Sequence, residues 1–311
     1  MNLLRRRLLF VTGKGGVGKT TVAAALADLA ARQGLRTLVV EMDAKGAVAN
    51  ALDTPPLSFT PLEVRPGLHA MAMNTEDSLR EYLRVVARIP LVGRIGPLAR
   101  TFDFVADAAP GVKEILAIGK VCYEVRERHY DLVVVDAEAS GHIVAQIDAP
   151  RAIRELVQVG MVRDQTEWML GILGDPAQTG LVAVTTMEEM PVTETVELVQ
   201  RVRATTEVDV AAVVANRVPA QWLTATDESV LQAVSSGTGL EAVTAQLGAA
   251  ARGVGAVLDA ARLAATRAAL AAARLQSVRE QLPDVPLLTV PEVSSRAGGR
   301  RVVSQVAEAL A

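Results

Sequence analysis

The stretch that decides the fold is Leu8-Leu9-Phe10-Val11-Thr12-Gly13-Lys14-Gly15-Gly16-Val17-Gly18-Lys19-Thr20-Thr21. Leu8–Thr12 is a short apolar run with the character of a strand buried on both faces. Gly13 to Thr20 then match the spacing G-x-x-x-x-G-K-[ST]. From Thr20 to Gln33 the pattern becomes helical, with Gly34 placed to end it. Glycines let the backbone turn tightly and aim its N–H groups inward, and a helix N-terminus directs its positive dipole end at the same point. This strand, loop and helix read as a cradle for phosphate, lined by Gly13, Lys14, Gly15, Gly16, Val17, Gly18, Lys19, Thr20 and Thr21. In such a cradle Lys19 neutralises the β- and γ-phosphates and the Thr20 hydroxyl ligates Mg²⁺, so ATP and Mg²⁺ are the expected ligands.

Working outward, further strands are expected at Thr37–Glu41, Leu68–Met73, Leu132–Val135, Leu181–Thr185, Val208–Ala215 and Val285–Val290. Between them lie helical patterns such as Val112–Arg128, with Val112, Ile115, Leu116, Ile118, Val121 and Val125 at helical spacing. Strands separated by helices make βαβ units with right-handed crossovers. The expected fold is therefore α/β, a mostly parallel β-sheet flanked by helices on both faces. Pro55, Pro56, Pro61 and Pro66 mark an irregular surface stretch. The Ala-rich segment at about 240–282 predicts one long helix, or a helical hairpin broken near Gly253 and Gly255. With no linker and no fixed-period repeat, residues 1–311 read as a single domain.

In an open parallel sheet, ligands sit at the carboxyl ends of the strands. Asp43, just past the second strand, is expected to orient or deprotonate an attacking water. Glu41 reads either as a support for Mg²⁺ through water or as a strand-end charge. Leu132–Val135 ends in Asp136, which is expected to hold the Mg²⁺ shell. Gly141 offers a pivot after it, and His142 reads as a phosphate sensor or as a structural histidine. Asn216 and Arg217 follow the strand Val208–Ala215, where an Asn amide both donates and accepts, as adenine recognition requires. Pro291, Glu292 and Val293 follow the last strand and are expected to close over the base.

Composition bounds the rest. Hydrophobic residues make up 50 % of the 311 residues and aromatics 3 %, so the core must be built from Ala, Val and Leu. A formal charge of −3 gives no whole-chain attraction to nucleic acid. The single cysteine, Cys122, excludes an internal disulfide and a zinc site built on several cysteines. Three arginines followed by an apolar run at the N-terminus have the outline of a signal peptide, but that run is too short and Gly13 opens another motif at once. No run reaches the roughly 18–20 apolar residues that a membrane span needs. A cytoplasmic location is expected.

The string Lys14-Gly15-Gly16-Val17-Gly18-Lys19-Thr20-Thr21 resembles the deviant Walker-A ATPases. Asp43, Pro110-Gly111-Val112-Lys113-Glu114 and Thr185-Thr186-Met187-Glu188-Glu189-Met190-Pro191-Val192-Thr193-Glu194-Thr195 make the chain similar to one branch, the arsenical-pump and guided-entry ATPases in their compact bacterial form. The resemblance implies that Lys14 crosses a dimer interface to the partner's nucleotide and stabilises charge there in the transition state. With Lys14, Lys19 and Asp43 as the catalytic set, it implies a dimeric ATP-hydrolysing switch, cycling between ATP and ADP, that handles a client such as a membrane protein. The chain departs from the family at Asp43-Ala44-Lys45-Gly46-Ala47 and at Asp136-Ala137-Glu138-Ala139-Ser140-Gly141-His142, which lack the family's prolines. Those departures admit an alternative, a weakly active nucleotide-binding subunit of a heterodimer with a paralogous ATPase. A third reading is a chromosome-partition or division-site ATPase, against which the tail Val302–Ala311 carries no basic residue. Neither a CxxC nor a cysteine trio is present, so no zinc or arsenite site is expected. Met161, Trp168, Met169, Leu170, Ile172 and Leu173 read either as a small apolar groove or as ordinary core.

Overall fold

A computed structural model of the protein describes residues 2–85, 111–156, 160–248, 252–293 and 298–311. Among these residues eight strands form one sheet in the order β3-β4-β2-β5-β1-β6-β7-β8. They are β1 Leu8–Gly13, β2 Thr37–Glu41, β3 Leu62–Arg65, β4 Leu68–Ala72, β5 Leu132–Ala139, β6 Thr179–Thr186, β7 Val210–Val218 and β8 Leu287–Pro291. Every pairing is parallel except β3 with β4. The described helices are α1 Lys19–Arg32, α2 Ala47–Leu52, α3 Thr75–Val85, α4 Val112–Arg126, α5 Ser140–Leu156, α6 Met161–Leu173, α7 Glu189–Thr205, α8 Ala225–Val234, α9 Gly237–Leu247, α10 Val254–Gln281 and α11 Arg300–Leu310.

The central strands are apolar throughout because both of their faces are covered. Alternation splits their side chains into two cores. Leu8, Phe10, Leu38, Val40, Val133 and Val135 pack with α4, α5 and α7 on one face. Leu9, Val11, Val39, Val134, Val182 and Val184 pack with α1, α2 and α11 on the other. Helix α1 is buried from Val22 to Ala30, and its run of alanines lets its backbone lie close to the sheet directly behind the phosphate loop.

The expected strands are present, with shifts at their ends. β5 continues through Asp136 to Ala139 instead of stopping at Val135, because residues 136–139 keep pairing beside β1. The proline-marked stretch contains an unexpected edge strand, β3, running antiparallel to β4 between Pro61 and Pro66. Prolines flanking an edge strand cost no ladder bond, so they did not forbid it. Among the described residues the Ala-rich segment contains two helices, α9 and α10, with Gly248 after the first and Gly253 before the second, both with positive φ. Of the two readings of the Met161–Leu173 segment the structure favours ordinary core, since Met169, Ile172 and Leu173 are buried and the Arg126 guanidinium lies 4.9 Å over the Trp168 ring. Pro110 and the side chains of Val112 and Met161 lie outside the described residues. Among the described residues no helix is long and apolar enough to cross a membrane.

Candidate functional site

The carboxyl ends of β1, β2, β5, β6 and β7 converge on the loop between Gly13 and Lys19. Gly13 lies against β6 so closely that a Cβ there would meet the Val184 carbonyl oxygen at 2.1 Å. Gly18 has φ +92°, and a Cβ on it would meet Asn216 Nδ2 at 2.4 Å. These two contacts explain why the motif needs glycine at its first and sixth positions. Gly15 and Gly16 have nothing within 4 Å on the side a Cβ would occupy, so that side of the loop is open. Gly18 brings no side chain to cap α1, and the first-turn amides of Lys19, Thr20 and Thr21 are left for a ligand.

The loop is held from the side by the end of β7. Buried Asn216 donates from Nδ2 to the Val17 carbonyl at 2.8 Å, and Arg217 donates from Nη1 to the Gly16 carbonyl at 3.3 Å. Arg217 itself has a positive φ of 55°, held by its N–H donating to Asn216 Oδ1 at 3.0 Å. Pro291 pairs with Val218, and the Glu292 N–H donates to the Val218 carbonyl at 2.9 Å, so Pro291, Glu292 and Val293 adjoin the end of β7. Glu292 also forms an ion pair with Arg267 of α10 at 3.2 Å. Asn216 and Arg217 therefore shape the loop, a role that sequence reading did not assign them.

The charged residues gather around the loop. Thr20 Oγ1 donates to Asp136 Oδ2 at 2.7 Å. Asp136 is buried, and its other oxygen, Oδ1, has no hydrogen-bond partner in the protein. Burial pushes its carboxyl pKa up to about 6, against the Thr20 hydrogen bond and the nearby Lys19, which favour the ionised form. Lys19 donates to the Lys14 carbonyl at 3.3 Å. Its pKa is lowered by burial, and the charges of Asp136 and Asp43 oppose that shift. Asp43 is exposed and forms an ion pair with Lys45, whose own pKa is raised by the hydrogen bond to Asp43 and, more weakly, by Glu138. The segment after β2 and the end of β5 thus face each other electrostatically.

Lys14 does not point into its own cradle. Its ammonium bonds Glu194 Oε1 of α7 at 2.5 Å, with both side chains about one-third exposed. No periodicity or local spacing reveals this partner, 180 residues away in the chain. Glu138 was also missed as a linking residue: its carbonyl accepts from Thr12 Oγ1 at 2.8 Å and its carboxylate from Gln146 at 2.8 Å. Ser140, Gly141 and His142 form the first turn of α5, where His142 is exposed. Buried Glu41 accepts from the Ala47 N–H at 2.7 Å, tying the end of β2 to the start of α2.

The donor set fits a divalent cation with a polyphosphate. A hydroxyl and a carboxylate lie side by side, one carboxylate oxygen is buried and unpartnered, and an ammonium and open backbone amides flank them. Among the described residues there is no group of three or more His, Cys, Asp or Glu that would hold a metal without the help of a ligand.

Residues 6–170 match the family model of the anion-transporting ATPases, a span covering both the loop and the Asp43 and Asp136 segments. The chain is 34 % identical over 222 residues to the ATPase BagA of Mycobacterium tuberculosis, and to a putative ATPase of Mycobacterium bovis at the same identity. The aligned stretch is 68 % of this chain and 65 % of those relatives' length. A putative arsenical pump-driving ATPase of Halobacterium salinarum is 25 % identical over 232 residues, 68 % of this chain and 35 % of that protein.

Proposed function

The chain belongs to the anion-transporting ATPase family, and from that premise we propose that it binds ATP with Mg²⁺ in the Gly13–Thr21 loop and hydrolyses it as a cytoplasmic dimeric switch. The observation that carries this reading is the Thr20–Asp136 pair, with Asp136 Oδ1 buried and unpartnered at the foot of an open glycine loop. Residues 1–311 act as one domain in this reading, and nucleotide state governs the dimer and the binding of a client or partner.

Each residue has a task that follows from its place. The first-turn amides of α1 and the loop N–H groups bind the phosphates, and Lys19 offsets their charge. Thr20 and Asp136 would hold the Mg²⁺, which neutralises charge on the phosphate oxygens and positions them. Asp43, exposed at the mouth beside Lys19, orients the attacking water and accepts its proton on a carboxylate oxygen. Asn216, Arg217 and the Pro291–Val293 segment lie at neighbouring strand ends, where a base attached to those phosphates would rest. Lys14, paired with Glu194 in the single chain, would exchange that partner for the phosphates of a second subunit. Cys122 is buried and its thiol pKa is pushed up by burial, so thiolate binding of an oxyanion has no ligand here.

ATP hydrolysis by the purified protein over a range of protein concentrations tests this reading, with Lys14→Ala beside it and Lys19→Ala as a non-binding control. Specific activity should rise with concentration in the wild type, and Lys14→Ala should keep nucleotide binding while losing hydrolysis. Full activity in Lys14→Ala would remove the exchange between subunits. ATP binding without turnover in the wild type would redirect the reading to a heterodimer with a paralogous ATPase.

A further inference from the structure

Glu41 and Asp136 are register partners on the adjacent parallel strands β2 and β5. Residues paired in this way send their side chains to the same face of a sheet. Alternation places that face with Val39 and Val134, under α1 and α2. Glu41 is 2 % exposed and Asp136 7 %. The charge of Glu41 is felt at Asp136, where it opposes ionisation. Two buried carboxylates therefore lie side by side, and each has one oxygen engaged and one without a partner. Asp136 Oδ2 accepts from Thr20 and Oδ1 is free, while Glu41 Oε1 accepts from the Ala47 N–H and Oε2 is free.

An unpaired buried carboxylate oxygen is costly, and two neighbouring ones attract a cation or its hydration shell. We propose that Glu41 is a positioning residue that links the bound cation to the Asp43–Ala47 segment. Its free oxygen accepts a hydrogen bond from a water of the cation's shell, beside Asp136. Its other oxygen keeps hold of the Ala47 N–H at the entry to α2. A single carboxylate thereby ties the presence of the cation to the backbone that carries Asp43. The inference rests on the Mg²⁺-nucleotide reading above and adds a device to it: the segment bearing Asp43 is ordered through Glu41 when the metal is present.

The test titrates ADP, with Mg²⁺ and with the metal removed by chelation, into the wild type, Glu41→Gln and Glu41→Ala. Hydrogen exchange over residues 44–50 is followed in the same samples. Glu41→Gln keeps the shape and an acceptor for Ala47 but removes the charge, so it guards against a simple folding defect. The expected result is an affinity for Mg²⁺-ADP lowered about 10-fold in both variants, with metal-free ADP binding unchanged. The extra protection that Mg²⁺ gives residues 44–50 of the wild type should vanish in both variants. Wild-type metal dependence and protection in both variants would overturn the inference and leave Glu41 as a cap for Ala47. A wild type that binds no ADP in either condition would overturn the proposed function, and this inference with it.

Discussion

Replacing Asp136 by Asn removes a buried charge and keeps the volume and an oxygen to accept from Thr20. The carboxyl has a pKa of about 6 in the folded protein and 3.8 without the fold, with burial as the main cause. The folded pKa is raised, so between these values the folded chain binds more protons than the unfolded one. Stability from this group then falls as pH rises through the window from about 4 to 6. Each pKa unit corresponds to 1.36 kcal/mol, so the ionised carboxylate costs the ligand-free fold up to about 3 kcal/mol above pH 6. At roughly 2 cal/mol/K per residue of unfolding entropy, a chain of this length turns that into about 5 °C in Tm. Thermal unfolding of ligand-free wild type and Asp136→Asn at pH 4, 5, 6, 7 and 8 tests the figure. The variant should be more stable by about that amount at pH 8, and the two curves should converge near pH 4. Mg²⁺-ADP should stabilise the wild type well beyond metal-free ADP, and the variant should lose that increment. Equal stability at pH 8, or a variant that keeps the wild type's pH dependence between 4 and 6, would refute the assignment of a strained, cation-seeking carboxylate.

Asn216→Ala removes a buried donor from the Val17 carbonyl, so stability should fall by about 1–3 kcal/mol and nucleotide affinity should fall with it; denaturant unfolding and ADP titration read the two effects, and unchanged values in both would show that the loop holds its shape unaided. Glu194→Gln frees Lys14 from an ion pair that is partly exposed, so stability should change by less than about 1 kcal/mol. The same release should tighten ATP-dependent dimerisation by up to about fivefold, read by sedimentation velocity across protein concentrations, and weaker dimerisation would mean that Glu194 supports the assembled state instead of competing with it.

The sheet was legible because its strands are covered on both faces and so read as unbroken apolar runs bounded by turns. The phosphate loop was legible because its glycines answer to local geometry, a positive φ at Gly18 and close backbone approach at Gly13, that any chain with this motif must satisfy. Asp43 and Asp136 could be placed by one rule, that strand ends face the ligand crevice. β3 was not legible, since prolines flanking a short edge strand look the same as prolines in a loop. The break in the Ala-rich segment was visible at Gly253, but alanine favours helix on either side of it, so composition alone did not decide between one helix and two. The Lys14–Glu194 pair and the grip of Asn216 and Arg217 on the loop join residues about 180 and 200 positions apart, and no periodicity carries such information.

The ligand-free arrangement gives most of the charges around the loop a substitute partner. Lys14 has Glu194, Asp43 has Lys45, and Lys19 has the Lys14 carbonyl. Binding at this site is then an exchange of partners, in which each new contact displaces an old one of similar kind, and the net gain per group is small. The two buried carboxylate oxygens of Asp136 and Glu41 are different, for they have no partner to give up. On the proposed function, the largest differential interaction between the ligand-free and bound states would therefore lie where Asp136 and Glu41 present those oxygens. A ligand can move an equilibrium only as far as its affinity differs between the two states. In the proposed reading a cation there would adjoin the segments after β2 and at the end of β5, through Asp136 on one side and through Glu41 and Ala47 on the other. On that reading Glu41 would be a local means of ordering the segment that carries Asp43.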